Sequence, residues 1–229
     1  MARPPRITAP GVAYHLLNRR VMRLPIFSKD EDYAALERVL ADGLDRPDAP
    51  QLLAYCLMPN HWHLVVHAGD NTDLSTWMQW VAVTHTHRWH VHYHTTGEGP
   101  LYQGRFKSFP VQTDDHFLTV CRYVVANALR AGLTDRAEAW RWNSLWVRRN
   151  GHGALRRRLT RWPVEPPWNW LADVNCPMAD EALTALRQSA ARGTPLGTPQ
   201  WKARIANRLG LAITLHPRGR PRQPHDNAS

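Results

Sequence analysis

Apolar residues recur through the first 150 residues with both strand-like and helix-like spacing. In chain order the pattern predicts a strand at 12–19, a helix at 28–44, strands at 52–58 and 61–67, a helix at 73–92, a strand at 102–112 and a helix from 113 to about 132. This order of elements is that of the ferredoxin-like β-α-β-β-α-β fold, with one further helix after it. We therefore predict an α+β protein whose antiparallel sheet carries its helices on one face.

The ends of these elements carry residues that favour helix starts and chain reversals. Ser28 is the predicted N-cap of the first helix, and Thr113 with Asp114 caps the last one. A short turn at Pro59 and Asn60 joins the second and third strands into a predicted hairpin.

The sequence changes character towards its end. Residues 161–170 are rich in proline and tryptophan and predict an irregular connector. Two short helices are predicted near 179–192 and 199–208, and a basic, proline-rich tail follows them. We predict one main domain over residues 1–150 and an appendage with a mobile tail over residues 151–229.

The excess of basic residues predicts a polyanionic partner. The chain has 29 Lys and Arg residues against 19 Asp and Glu residues, a net charge of +10, with a pI near 10.2. Such an excess favours nucleic acid as the partner, and a basic but inert surface is the alternative. Three cysteines without a CxxC pair favour a reducing compartment over a disulfide framework. Neither a secretory signal nor a membrane-length apolar run is visible, so we expect a cytoplasmic, nucleoid-associated protein.

Two histidines stand one residue apart at the start of the third predicted strand. Residues i and i+2 of a strand share a face, so His61 and His63 project together while Trp62 faces the core. Two imidazoles on one face can bind a divalent metal and leave coordination positions open for a substrate. A pair of structural histidines with satisfied hydrogen bonds is the alternative.

The last predicted helix carries a polar side next to an apolar stripe. The stripe consists of Phe117, Val120, Cys121, Val124, Val125 and Ala128. Tyr123, Asn127 and Arg130 fall together on a different side. A phenol is a weak nucleophile at neutral pH, and a metal that polarises a phosphodiester would let it attack and store the cut bond as a phosphotyrosine. An ordinary half-exposed tyrosine is the alternative.

These segments resemble one known family. MPNHWHLVV at 58–66 resembles the His-hydrophobic-His motif of the HUH single-tyrosine transposases, which are IS200-like. Similarity to their REP-associated branch is carried by YVVANALRAGL at 123–133, WRWNSL at 140–145, YQGRFKS at 102–108 and the ending GTPLG…RGRPR. The resemblance covers at least residues 12–148.

The resemblance implies roles for individual residues. His61 and His63 match the metal-binding pair, for Mg²⁺ or Mn²⁺, and Asn127 occupies the place of the third ligand. Tyr123 matches the catalytic nucleophile, which in the family forms a 5′-phosphotyrosine and frees a 3′-hydroxyl. The chain departs from the family at Ala128, where a proline often follows the asparagine, and alanine there favours a regular helix.

The family also implies a partner and a division of labour. Its members act on single-stranded DNA next to imperfect hairpins, so a hairpin-containing DNA repeat is the expected partner of a monomer or homodimer. Residues 1–150 would then form the catalytic domain, and residues 151–229 a DNA-binding appendage.

Several basic side chains are candidate DNA contacts. The predicted DNA-binding residues are Arg105, Lys107, Arg130, Arg218 and Arg220. The first two share a face of a predicted strand with Gln103 and suit phosphates, whereas the last two suit a minor groove. A solvated strand face and a solvated tail are the alternatives. The histidines within 85–94 favour a solvated, DNA-proximal surface over a second metal site.

Two other functions are carried forward as alternatives. A DNA-binding regulator would have kept the fold without cleavage, although the retained tyrosine, histidines and asparagine argue against it. A zinc hydrolase built on His61 and His63 would need a third strong ligand and a general base, which the sequence does not identify.

Overall fold

A four-stranded antiparallel sheet is the centre of the fold, which a computed structural model describes over residues 6–216. The strands are β1 (Ala13–Arg19), β2 (Gln51–Met58), β3 (His61–His67) and β4 (Lys107–Val111). Their order across the sheet is β2-β3-β1-β4, and every neighbouring pair is antiparallel. The predicted ferredoxin-like arrangement is confirmed.

Two helices cover one face of this sheet, α1 (Asp30–Leu44) and α2 (Leu74–Tyr93). Trp62, Leu64 and Val66 point from β3 into this layer and are at most 1% exposed. Burying a leucine or valine side chain stabilises the folded state by about 1.5–3 kcal/mol relative to leaving it exposed. The predicted N-cap at Ser28 is wrong, because Lys29 takes that position. The Asp32 carboxylate accepts hydrogen bonds from the backbone N–H groups of Ser28 and Lys29.

A third helix, α3 (Asp115–Val125), packs on the opposite face. Its apolar stripe contacts strand residues that include Ala13, Val65 and Phe109. The expectation of helices on one face therefore holds for α1 and α2 and fails for α3. The physical reason is that alternate strand residues are apolar on both faces, so the sheet needs a cover on each side.

The last predicted helix is interrupted instead of running to Gly132. It ends at Val125, and the chain resumes a helix in α4 (Asn127–Arg130), so the expectation of a regular helix here is wrong. The buried Asn143 side chain donates hydrogen bonds to the carbonyls of Val125 (3.2 Å) and Ala137 (2.8 Å). A side chain that bonds a helix carbonyl in this way accounts for the break.

β4 is shorter than the predicted strand at 102–112. It begins only at Lys107, and Tyr102 makes an isolated bridge before it. Gly104 lies between them with φ of +149°, where a regular strand does not continue. The prediction that Gln103, Arg105 and Lys107 share one strand face is therefore wrong.

The chain after the core helices returns to both edges of the sheet. It contains α5 (Ser144–Asn150), α6 (Trp170–Asn175), α7 (Asp180–Arg192) and α8 (Pro199–Arg208). The Thr160 N–H donates to the Leu52 carbonyl on β2 (2.8 Å), and the Leu196 N–H donates to the Pro110 carbonyl on β4 (2.9 Å). These bonds pair backbone groups that an open edge leaves unsatisfied. The two predicted short helices are confirmed as α7 and α8, and the domain boundary at residue 150 stays a prediction.

The helices of residues 6–216 are each too short or too polar to cross a bilayer.

Candidate active site

A cavity of about 600 Å³ lies where β1 ends and β3 begins, beside α3, α4 and α7. Its basic lining residues are Arg6, Arg19, Arg105, Lys107, Arg130 and Arg187. Among the described residues, no aspartate or glutamate lines it. A concave surface with one sign of charge concentrates ligands of the opposite sign, so the cavity suits a phosphodiester.

The two predicted histidines share the face of β3 that borders this cavity. Their ring centroids are 5.0 Å apart. The Nδ1 atom of His61 lies 2.6 Å from the Asn60 side-chain oxygen, and the Nδ1 atom of His63 lies 2.8 Å from Nε2 of His15. Within residues 6–216, neither His61 nor His63 uses its Nε2 atom in a hydrogen bond. Each ring is thus held through Nδ1 and keeps Nε2 for another partner.

Burial keeps these imidazoles neutral. Burial, together with the smaller effects of the Arg19 and Arg130 charges, lowers the pKa of His61 to about 4. The pKa of His63 also lies well below its usual value, through burial first and then through His15, His61 and the same two arginines. A neutral imidazole has one unprotonated ring nitrogen, which is the form that binds a metal.

Tyr123 and Asn127 reach the same cavity from the helix that packs on this face. The Tyr123 ring centroid lies 5.8 Å from that of His63, and the two rings are nearly perpendicular. Arg130 donates to the Asn127 side-chain oxygen (2.9 Å) and to the Tyr123 carbonyl (3.0 Å), and its guanidinium lies 4.1 Å from the Tyr123 ring centre. The structure therefore brings the predicted tyrosine, asparagine and both histidines together, with Arg130 holding two of them.

The donor set fits a divalent ion in part. His61 and His63 each offer an unused Nε2, and Asn127 is 8% exposed with its Nδ2 atom buried and unpartnered among the described residues. The Asn127 oxygen already accepts from Arg130, and a second lone pair on it remains for an ion. Groups of three or more His, Cys, Asp or Glu suited to a metal are not found within residues 6–216. The zinc hydrolase alternative therefore gains no third strong ligand from this part of the chain.

Sequence comparison places the chain in a family. The sequence model described as "Transposase IS200 like" matches residues 8–127, which is more than half of the 229 residues. The chain belongs to the IS200-like transposase family. Its members are transposases, enzymes that act on DNA, and the resemblance predicted from the motifs is confirmed. A search of curated proteins gave no significant match to this transposase.

Two solved structures are similar to this IS200-like transposase. One is described as the REP-associated tyrosine transposase bound to a REP hairpin; it is 18% identical, covers 67% of this chain and 90% of its own, and has a TM-score of 0.53. At this identity the likeness shows a shared fold. The other is a putative transposase from Deinococcus radiodurans R1, also 18% identical, covering 51% of this chain and 89% of its own. Its TM-score of 0.38 is too low to support an inference.

Sequence reasoning missed residues that line the transposase cavity, such as Arg19 and Arg187, and also His15, which lies behind it. Arg19 is paired with His61 in the sheet, and strand alternation from β1 would have found it once the register was known. Arg187 comes from α7, so its presence depends on how the chain after residue 150 packs against β4. His15 is 1% exposed, and nothing in its sequence surroundings marks it as a neighbour of His63.

The remaining predicted residues fall in different places. Arg105 and Lys107 line the cavity, although from a loop and from a strand start instead of one strand face. Arg218 and Arg220 lie outside the described residues. In the histidine-rich stretch, His85 is buried with its Nδ1 atom 2.7 Å from the Tyr102 hydroxyl, so the interpretation as a solvated surface is wrong for it.

Proposed function

We propose that this transposase nicks single-stranded DNA and rejoins it through a 5′-phosphotyrosine on Tyr123, with the help of a divalent metal. The observation that carries the proposal is the meeting of Tyr123 with His61 and His63 in one basic cavity. Tyr123 comes from α3 and the two histidines come from one face of β3, so the cavity joins a nucleophile to two unused metal-binding nitrogens.

His61, His63 and Asn127 are the proposed metal ligands, for Mg²⁺ or Mn²⁺. The ion, when bound, would polarise the scissile phosphate and stabilise the negative charge that develops on its oxygens. Imidazole ligands suit Mn²⁺ better than Mg²⁺, which prefers oxygen ligands, so Mn²⁺ is the better experimental probe.

Tyr123 is the proposed nucleophile. Its phenolic oxygen attacks phosphorus, and the bond between phosphorus and the 3′-oxygen breaks. The phenolic proton is lost, and the leaving oxygen gains a proton to become a 3′-hydroxyl. A 3′-hydroxyl on another strand can reverse the step, which releases the phenol and reseals the backbone. Arg130 fixes the ring for this attack because its guanidinium stacks on the ring and bonds the Tyr123 carbonyl.

Basic side chains around the site are proposed to place the DNA backbone. Arg105, Lys107 and Arg130, predicted from the sequence, border the cavity together with Arg19 and Arg187. Contacts from arginine and lysine to phosphates position a nucleic acid without reading its sequence. We therefore expect the affinity of this cavity for DNA to depend strongly on salt.

A hairpin beside the cleavage site is the proposed DNA substrate. The solved structure with the same fold is described as bound to a REP hairpin, and the net charge of +10 suits a structured DNA ligand. The chain after residue 150, including Arg218 and Arg220, is proposed to contribute hairpin contacts.

Doubly labelled hairpin oligonucleotides would test the reaction. In the presence of Mn²⁺, the label on the 3′ end should remain with the protein after denaturation, while the label on the 5′ end should leave on a fragment that carries a 3′-hydroxyl. Tyr123→Phe should abolish the adduct, and the matched control Tyr93→Phe, on α2, should retain it. EDTA should also prevent adduct formation.

The same experiment separates the proposal from the regulator alternative. Tight hairpin binding with no adduct under any metal would support a DNA-binding protein without cleavage. An adduct carrying the 5′ label instead would contradict the proposed bond and its polarity.

A further inference from the structure

His15 lies behind the predicted metal-binding pair, away from solvent. It is in the middle of β1, opposite Val65 in the sheet, and it is diagonal to His63 on the same face. Its ring stacks on that of His63 with a centroid distance of 4.9 Å and an angle of 18° between the planes. Phe109 packs on another side at 4.9 Å. His15 therefore contacts the site from the interior of the sheet.

The hydrogen bond between the side chains of His15 and His63 decides which nitrogen of His63 is protonated. Nε2 of His15 lies 2.8 Å from Nδ1 of His63, so one of these two nitrogens carries the proton between them. If His63 carries it, Nε2 of His63 is unprotonated and available to an ion. If His15 carries it, His63 must hold its own proton on Nε2 and cannot bind a metal there.

We propose that His15 is a positioning residue that accepts the hydrogen bond from Nδ1 of His63 and so holds His63 in the tautomer whose Nε2 atom faces the cavity as a metal ligand. The inference rests on the proposed function, in which His63 binds the ion. An outer partner of this kind orients the ligating ring and fixes its protonated nitrogen.

The other nitrogen of His15 argues against a purely structural role. Once Nε2 accepts from His63, the proton of neutral His15 must be on Nδ1. That atom is buried and has no hydrogen-bond partner among the described residues. An unpaired buried donor disfavours the folded state, and an apolar side chain among Val65 and Phe109 would avoid that penalty. The fold alone therefore gives no reason for a histidine here.

Two substitutions at one position separate hydrogen bonding from packing. His15→Leu removes the acceptor and keeps the volume close to that of histidine, whereas His15→Gln keeps an oxygen that can accept from His63. Mn²⁺ binding is measured from the signal of the free ion by electron paramagnetic resonance, with His63→Ala as the control that defines the site. His15→Leu should weaken Mn²⁺ binding about 10- to 100-fold, the usual effect of losing an outer partner, and His15→Gln should recover most of the affinity.

A second readout needs no metal. Nitrogen NMR of the metal-free protein distinguishes the two tautomers of His63, with His63→Ala used to assign the signals. The wild type should show a protonated Nδ1, and His15→Leu should shift the population towards a protonated Nε2. His15→Leu removes the unpartnered Nδ1 atom of His15 but leaves Nδ1 of His63 without its partner, so the two effects on stability oppose each other and thermal unfolding should change little.

The outcomes distinguish the two proposals. If the wild type shows His63 protonated on Nε2, the role of His15 is overturned, even where His15→Leu fails to fold. Equal Mn²⁺ affinity in His15→Leu and wild type would overturn it as well. If Mn²⁺ binding is the same in wild type and His63→Ala, the proposed metal site fails, and the tautomer measurement still decides whether His15 accepts the hydrogen bond.

Discussion

The buried Asn143 side chain should be worth about 3 kcal/mol to the folded state. It donates to the carbonyls of Val125 and Ala137, and its oxygen accepts from the Trp146 N–H as the N-cap of α5. Losing an N-cap costs about 1 kcal/mol, and each of the two lost hydrogen bonds costs about 1 kcal/mol. Asn143→Ala should lower the free energy of unfolding in urea by that sum, which is a large part of the total stability of a small protein.

Two further variants separate the contributions. Asn143→Asp keeps the cap acceptor but directs a carboxylate at two carbonyl oxygens, so it should destabilise at least as much as Asn143→Ala. Asn150→Ala is the matched control, because Asn150 is exposed on the same helix, and it should cost less than about 0.5 kcal/mol. Asn143 bonds the Val125 carbonyl at the helix break between Tyr123 and Asn127, and so helps to set the position of Asn127 relative to Tyr123. Both Asn143 variants should therefore also reduce the adduct yield at temperatures where they remain folded. A loss below about 1 kcal/mol in Asn143→Ala would refute this account of the helix break.

Two other predictions address DNA binding and assembly. Arg187→Ala should weaken binding of single-stranded DNA and lower the slope of log affinity against log salt by about 0.7, the value for one phosphate contact. The control is Arg38→Ala, which removes the same charge from α1 on the opposite face of the sheet and should leave that slope unchanged. An equal effect of both variants would show that Arg187 acts through the net charge of the protein and not through a phosphate contact. Because Tyr123 and His63 meet within one chain, a mixture of Tyr123→Phe with a His61→Ala, His63→Ala double variant should form no adduct. Adduct in that mixture would show a site shared between two subunits.

The parts of the site that sequence predicts are those set by local periodicity. His61 and His63 share a face because strand residues alternate, and Tyr123, Asn127 and Arg130 meet because helix spacing brings them to one side. That spacing survives the break at Ala126, since Arg130 still bonds both of its partners.

The parts that sequence could not predict depend on tertiary packing. Helical periodicity shows that α3 has an apolar stripe, but not which face of the sheet receives it. The pairing of His15 with His63 requires the register between β1 and β3, which follows from the whole sheet. Arg187 reaches the cavity only because α7 packs beside β4, and Arg105 departs from strand alternation because Gly104 interrupts the strand.

The backbone bonds at Thr160 and Leu196 have a consequence for work with fragments of this transposase. The Thr160 bond is made to the edge strand β2, and the Leu196 bond is made to the other edge strand, β4. Exposed strand edges recruit one another between molecules and lead to polymerisation. A fragment that ends before Thr160 would leave both edge strands, β2 and β4, open to pairing with other molecules. It would also lack Arg187 of α7, which lines the cavity. Fragments meant to report on catalysis should therefore extend through α8.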